Sequence, residues 1–181
     1  MVQRFADVLD RDDELTLSSP EFEPGGPLPD WCGFVNENEN PPLDIEHVPD
    51  EAEALFLEMV HPEAAEVVDH WWIHWLAWGI DPDIGHIPRG WDGADSTQGY
   101  NDFLRQGYGG PSPPPETTET YRFRVYALDT DLDLPPHTRR ARIASTIGLE
   151  AKILAADELT GTYSADQGTV FETLGPRGLR P

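Results

Sequence analysis

Two long apolar runs dominate the pattern of the chain. Ala54-Leu55-Phe56-Leu57-Glu58-Met59-Val60 is almost continuous, and Asp69-His70-Trp71-Trp72-Ile73-His74-Trp75-Leu76-Ala77-Trp78-Gly79-Ile80 holds four of the six tryptophans and two of the six histidines. The first is a run of strand length, and the second, apolar almost throughout, would as a strand be buried on both faces. The second is too short to cross a bilayer, which takes about 20 apolar residues. It predicts the central strand of a sizeable core, with His74 the one ionisable group carried into it. Tyr121-Arg122-Phe123-Arg124-Val125-Tyr126-Ala127-Leu128 alternates at its start, with Arg122 and Arg124 on one face, and predicts a half-buried strand.

Weaker patterns fill the rest. Leu15-Thr16-Leu17 can begin a strand, Ser18 to Pro29 is a loop, and Trp31 to Phe34 is a short strand candidate. Residues 36–43 form a turn-rich connection, His61-Pro62-Glu63-Ala64-Ala65 a turn, and residues 81–107 a loop. Gly107-Tyr108-Gly109-Gly110-Pro111-Ser112-Pro113-Pro114-Pro115 excludes helix and central strand, so it predicts a stiff loop that exposes backbone N–H groups. Thr138 is placed to cap a helix running to about Leu154, with Ile143, Ile147 and Leu154 on or near one stripe. Leu159 to Tyr163 predicts a last short strand. Residues 1–13 read as a charged lead, 14–163 as the domain and 164–181 as a polar tail, with no internal repeat.

Composition narrows the class. A chain of 181 residues is most simply one domain, and 18 prolines with 16 glycines favour short strands and many turns over a helix bundle. Against 34 acidic residues stand 12 basic ones, a formal charge of −22, and Lys152 is the only lysine. Such a surface repels phosphate backbones and anionic lipid, which excludes nucleic acid and membrane insertion from the expected partners. A solvated acidic shell fits the cytoplasm of a halophile, where concentrated salt screens self-repulsion. Cys32 stands alone, so no internal disulfide can form, and Met1 to Arg11 shows no apolar secretory core. A cytoplasmic location is expected.

Candidate chemistry centres on histidine. His70 and His74 are four apart, a spacing that shares a zinc ion on a helix but separates the pair by about 13 Å on a strand. The strand reading leaves no metal site and no cofactor. His74 taken alone is a satisfied core histidine, and the glycine-proline loop taken alone is a rigid turn. Together with the acid-bearing turn at 61–65 they make a small anion or polar-ligand pocket. No G-x-S-x-G elbow, Walker loop or dinucleotide fingerprint is present.

Taken in order, Asn40-Pro41-Pro42-Leu43, His61-Pro62-Glu63-Ala64, Ile73-His74-Trp75, the Gly107–Pro115 segment and Tyr121 to Asp129 resemble the phosphatidylethanolamine-binding protein family. The similarity is greatest to its prokaryotic Raf-kinase-inhibitor-like branch and runs from about residue 14 to 163. It implies a mainly β fold, two antiparallel Greek-key sheets with one or two peripheral helices. It also implies a pocket at one end of the large sheet for phosphate-like anions or phospholipid head groups. In the family that pocket combines an Asp-Pro-Asp-Ala-Pro turn, a strand histidine, the Gly-Pro loop and a His-Arg-Tyr. The matching positions are His61 and Glu63, His74, Gly110 and Pro111, and Glu119-Thr120-Tyr121. Trp72 and Tyr121 would line the walls, and Tyr108 would join from the loop.

Two departures alter what that pocket would hold. The first family aspartate is replaced by His61, and the family His-Arg pair by Glu119-Thr120. If His61 and Glu119 face each other, their hydrogen bond survives with reversed polarity. The missing arginine and the added carboxylate argue against strong phosphate binding and favour a neutral or cationic ligand. The leading function is non-enzymatic small-ligand binding. One alternative is an interaction protein that inhibits a kinase or protease. Another is a hydrolase using His74 with Glu119 or Glu63 as acid and base, which would lack a nucleophile. A homodimer fits the prokaryotic resemblance.

Overall fold

A computed structural model describes residues 14–165 and, ahead of them, residues 8 and 9. Its strands are β1 (Thr16–Ser18), β2 (Leu43–Glu46), β3 (Ala54–His61), β4 (Trp72–Ile80), β5 (His86–Ile87), β6 (Thr97–Gln98), β7 (Thr118–Leu128) and β8 (Ile153–Ser164). The helices are α1 (Ala65–Val68) and α2 (Arg140–Glu150). The strands make two antiparallel sheets, β1-β2-β5 and β6-β4-β3-β7-β8. This is the mainly β, two-sheet architecture that the resemblance implied. No helix among the described residues is long and apolar enough to cross a membrane.

The continuous apolar run of β3 is explained by two-sided burial. Leu55, Leu57 and Met59 face the small sheet and pack with Leu17, Leu43 and Ile45. Phe56 and Val60 face the other way and pack beneath α2 with Ile143, Ile147 and Val8. The strand therefore keeps its two-residue period, but both faces are apolar because both are covered.

Glu58 interrupts that outer face and is fully buried. Arg140 grips its carboxylate with two hydrogen bonds, Nε to Oε2 at 2.6 Å and Nη2 to Oε1 at 3.1 Å. The Tyr126 hydroxyl donates to Oε1 at 3.1 Å. Arg124 Nη1 lies 3.7 Å from the same carboxylate, while its Nε donates to Glu158 at 2.6 Å. Arg122 then bridges Glu158 (3.1 Å) and Glu63 (2.6 Å). Trp71 sits over the guanidinium groups of Arg124 and Arg140, at 5.3 and 4.9 Å from its ring centre. A charge ladder thus crosses the outer face of the large sheet, from α2 to the turn after β3.

Several local expectations need correction. Trp31 to Phe34 is not a strand. Pro29 and Asp30 carbonyls capture the Cys32 and Gly33 N–H groups at 3.0 and 3.1 Å, which closes a 3-10 turn over Asp30–Cys32. Leu43 leaves the turn-rich connection to begin β2, and the 81–107 loop contributes the short strands β5 and β6. Asp69, His70 and Trp71 fall outside β4, because Asp69 adopts a left-handed conformation that ends α1. Thr138 does not cap α2. Its hydroxyl donates to Pro135, the helix stops at Glu150, and Leu154 belongs to β8. β8 is 12 residues long because it pairs with β7 along nearly its whole length. β7 is not half-buried either. Arg124 is buried because Glu58 and Glu158 neutralise it, which alternation alone cannot reveal. The lead and tail, apart from residues 8, 9, 164 and 165, lie outside the described residues.

The ladder sets a stability prediction. Glu58→Ala removes the buried carboxylate that Arg140 grips and leaves Arg124 with Glu158, so urea denaturation should show a loss of about 3–5 kcal/mol, the range for breaking a buried ion pair. Removing Glu39 from its exposed pair with Arg89 should cost under about 1 kcal/mol.

Candidate functional site

Three neighbouring strand ends converge on one cavity of about 230 Å³. His61 closes β3, Trp72 and His74 open β4, and Glu119 and Tyr121 open β7. Antiparallel pairing of β4-β3-β7 makes this convergence automatic, because the end of β3 lies beside the starts of both partners. Pro62 then starts a 3-10 turn, Pro62–Ala64, which swings Glu63 to the rim ahead of α1.

His74 owes its orientation to a β-bulge. Val60 pairs with Ile73 and the next residue, Met59, pairs with Trp75, so His74 is the extra residue on β4. Its ring meets Tyr121 edge-on at 5.1 Å and Phe103 at 5.6 Å. A second irregularity lies further along between Leu55 and Leu57, where Gly79 on β4 takes φ +64°, a conformation suited to glycine. The ring Nδ1 stands 2.6 Å from the Gly109 carbonyl oxygen, which can only accept, so Nδ1 carries the proton. Burial penalises the imidazolium and lowers the pKa to about 4, against the upward pull of the Gly109 hydrogen bond. His74 is therefore neutral near pH 7, with Nε2 left as an acceptor.

The polar groups around it are incompletely matched. His61 Nε2 lies 3.3 Å from Glu119 Oε2, close enough for an ion pair but outside hydrogen-bond geometry. The two exchanged residues do face each other. Burial acts to raise the Glu63 carboxyl, but the hydrogen bond from Arg122, a backbone hydrogen bond and the charges of Arg122 and His61 together hold the group below its ordinary value. Among the described residues, His61 Nε2, Glu63 Oε2 and Arg122 Nε are buried side-chain atoms without a hydrogen-bond partner.

His61, Glu63, Trp72, His74, Glu119 and Tyr121 all line the cavity, whereas Tyr108, Gly110 and Pro111 do not. The expectation of free N–H groups in the glycine loop is overturned. Gly109 donates to the His74 carbonyl at 2.8 Å, Gly110 to Asn38 Oδ1 at 2.7 Å and Gly107 to Gly99 at 3.2 Å. Gly110 is needed for packing, since a Cβ there would collide with the Cys32 carbonyl oxygen. The Pro111 carbonyl accepts from Phe34, and the Tyr108 hydroxyl donates to Cys32. The loop is a wall support that fixes His74 from behind. His70 is exposed, bonds the Val68 carbonyl and stays outside the cavity. No group of three metal-ligating side chains occurs among the described residues.

Sequence reasoning missed Phe103, α1 residues Val67 and Val68, and the Ser112-Pro113-Pro114 rim. Phe103 arrives because Asp102 is pinned to Ile73 twice, backbone N–H to carbonyl at 2.9 Å and Ile73 N–H to Oδ2 at 2.8 Å. Its only sequence signal is an isolated aromatic in the polar stretch Asn101-Asp102-Phe103.

The depressed His74 pKa carries a pH dependence. The unfolded chain takes up this proton near 6.5 and the folded chain near 4. Between those values the unfolded state binds more protons, so stability is lost as pH falls through that window. NMR should show no His74 protonation above pH 5. Urea melts of wild type should lose on the order of 3 kcal/mol more than His74→Gln over the window.

Comparison with known proteins agrees with this architecture. Residues 18–164 match the sequence profile of the family described as phosphatidylethanolamine-binding protein. A UPF0098 protein of Methanothermobacter thermautotrophicus is 35% identical over 159 residues, 82% of this chain and 98% of that protein. A Mycobacterium tuberculosis protein with a lipoprotein designation, LppC, is 36% identical over 150 residues, 82% of this chain and 72% of its own. The crystal structure of a phosphatidylethanolamine-binding protein homologue from Chlamydia trachomatis matches with a TM-score of 0.75 at 29% identity, covering 84% of this chain and 99% of that one. Profile, relatives and fold agree: the chain belongs to the phosphatidylethanolamine-binding protein family.

Proposed function

We propose that this chain is a non-enzymatic small-molecule-binding protein whose pocket has turned away from phosphate-like anions. The observation that carries the reading is the charge of the cavity lining. Glu63 and Glu119 border it, no lysine or arginine lines it, and its strand histidine is held neutral. Arg122, the nearest guanidinium to Glu63, is held by Glu63 and Glu158. A phosphate dianion would meet two carboxylates at close range, where Coulomb repulsion in a partly desolvated site is large. Binding rather than hydrolysis is supported by the hydroxyls available. Tyr121 has its pKa raised by burial, and among the described residues no histidine accepts a hydrogen bond from the Ser112 hydroxyl to activate it.

Isothermal titration with inorganic phosphate and with phosphoethanolamine tests the anion side of the reading. Binding is expected to be millimolar or weaker, on the scale where about 4 kcal/mol separates bound from free. Micromolar affinity would overturn it.

The charge of −22 supports a second part of the proposal, a protein that works in a saline cytoplasm. Its melting temperature should climb steeply between millimolar and molar KCl as the salt screens self-repulsion. A folded, monodisperse sample in low-salt buffer, with a melting point insensitive to KCl, counts against it.

A further inference from the structure

The incomplete hydrogen bonds of the pocket point in one chemical direction. Glu63 uses Oε1 for Arg122, and its Oε2 is buried with no partner. His61, only 9% exposed, aims Nε2 at Glu119 Oε2 at 3.3 Å without completing a hydrogen bond, so that nitrogen is left unpaired. His74 adds a neutral ring whose Nδ1–H is already given to Gly109, leaving only an acceptor for a ligand. A buried polar atom left unpaired costs about 1–3 kcal/mol. Their concentration at one cavity marks the position of a group able to pair them. The Glu63 carboxylate oxygen and the Nε2 of His74, whose ring proton sits on Nδ1, can only accept, and the unpaired donor Arg122 Nε lies outside the cavity lining, so the group missing from the cavity is a donor.

Charge and shape refine the donor. The lining carries two carboxylates and no arginine or lysine, which selects a cation over an alcohol or an amide. Trp72, Phe103 and Tyr121 surround the same space, and aromatic rings attract cations. Val67, 83% exposed on α1, and Val68, 39% exposed, put apolar surface at the mouth, suited to an aliphatic or aromatic body attached to the charge.

We propose that the pocket binds a primary ammonium compound with a short apolar body, its –NH3+ received by Glu63 Oε2 and Glu119 and its body resting among Trp72, Phe103 and Val67. A primary ammonium is preferred to a quaternary one because it supplies three N–H donors to unpaired acceptors, whereas a quaternary nitrogen supplies none. This inference rests on the reading of the cavity as a small-molecule site, and sharpens it to a ligand class.

The test uses four probes with a short alkyl body on the full chain at one fixed ionic strength and neutral pH: n-butylamine, n-butanol, butyrate and butyltrimethylammonium. Affinity is measured by calorimetry and position by the indole N–H shift of Trp72. Butylamine should bind about tenfold or more tighter than butanol and the quaternary analogue, the scale of a charge-assisted hydrogen bond, with butyrate undetected. Glu63→Gln and Glu119→Gln should each weaken butylamine by about tenfold while thermal melts stay within a few degrees of wild type. If one variant fails to fold, the other carries the test. Equal binding of butanol or butyrate, or unchanged butylamine affinity in a folded Gln variant, overturns the ammonium preference but leaves a small-molecule site. Silence from all four probes, with no Trp72 shift, overturns both readings.

Discussion

Burial of β3 and β4 on both faces is the constraint from which the rest follows. A polar group can enter such a strand only if partners meet it there, since no water is available to replace them. Glu58 meets Arg140, Arg124 and Tyr126, and His74 meets the Gly109 carbonyl. Each solution recruits a distant part of the chain: α2 for the glutamate, the glycine-proline loop for the histidine. The long-range order of the domain is therefore tied to two polar residues that the strands would otherwise exclude.

The same requirement links the core to the site. Arg122 and Arg124 lie on the outer face of β7, and the ladder they form ends at Glu63 on the cavity rim. Glu63 is thus an anion held in place by a cation on the opposite face of β7 from Tyr121. Its unpaired oxygen stays directed by that clamp. A rigid, pre-positioned carboxylate loses little side-chain entropy on binding, which is how a small pocket gains affinity from few contacts.

The proposed function turns on the pair of His61, at the end of β3, and Glu119, at the start of β7. His61 and Glu119 remain opposite each other, 3.3 Å apart, so the geometry of the pair is retained while its charge order is inverted. Membership of the phosphatidylethanolamine-binding protein family accounts for the fold and for the place of the cavity.

Much of this was legible in the residues themselves. The apolar run around Trp75 required a doubly covered strand and the run around Leu57 a strand, and the order of turn, strand histidine and glycine-proline loop located one end of a sheet. Six of the nine candidate site residues line the cavity together. Gly110 and Pro111 could not be separated from the true lining by sequence, because a glycine that donates to a ligand and one that admits a neighbouring carbonyl look identical. Phe103 and the α1 valines were invisible for a related reason, since their place depends on Asp102 anchoring to Ile73 and on the turn at Pro62. Periodicity reports which face of a strand is apolar. It does not report a one-residue bulge, and that bulge turns His74 toward the pocket. The sequence by itself determined the strands β3, β4 and β7, the double burial of β4 and the family of the fold. Only the tertiary structure decided which polar atoms were satisfied and which were left for a ligand, because hydrogen bonding depends on distances between residues far apart in the chain.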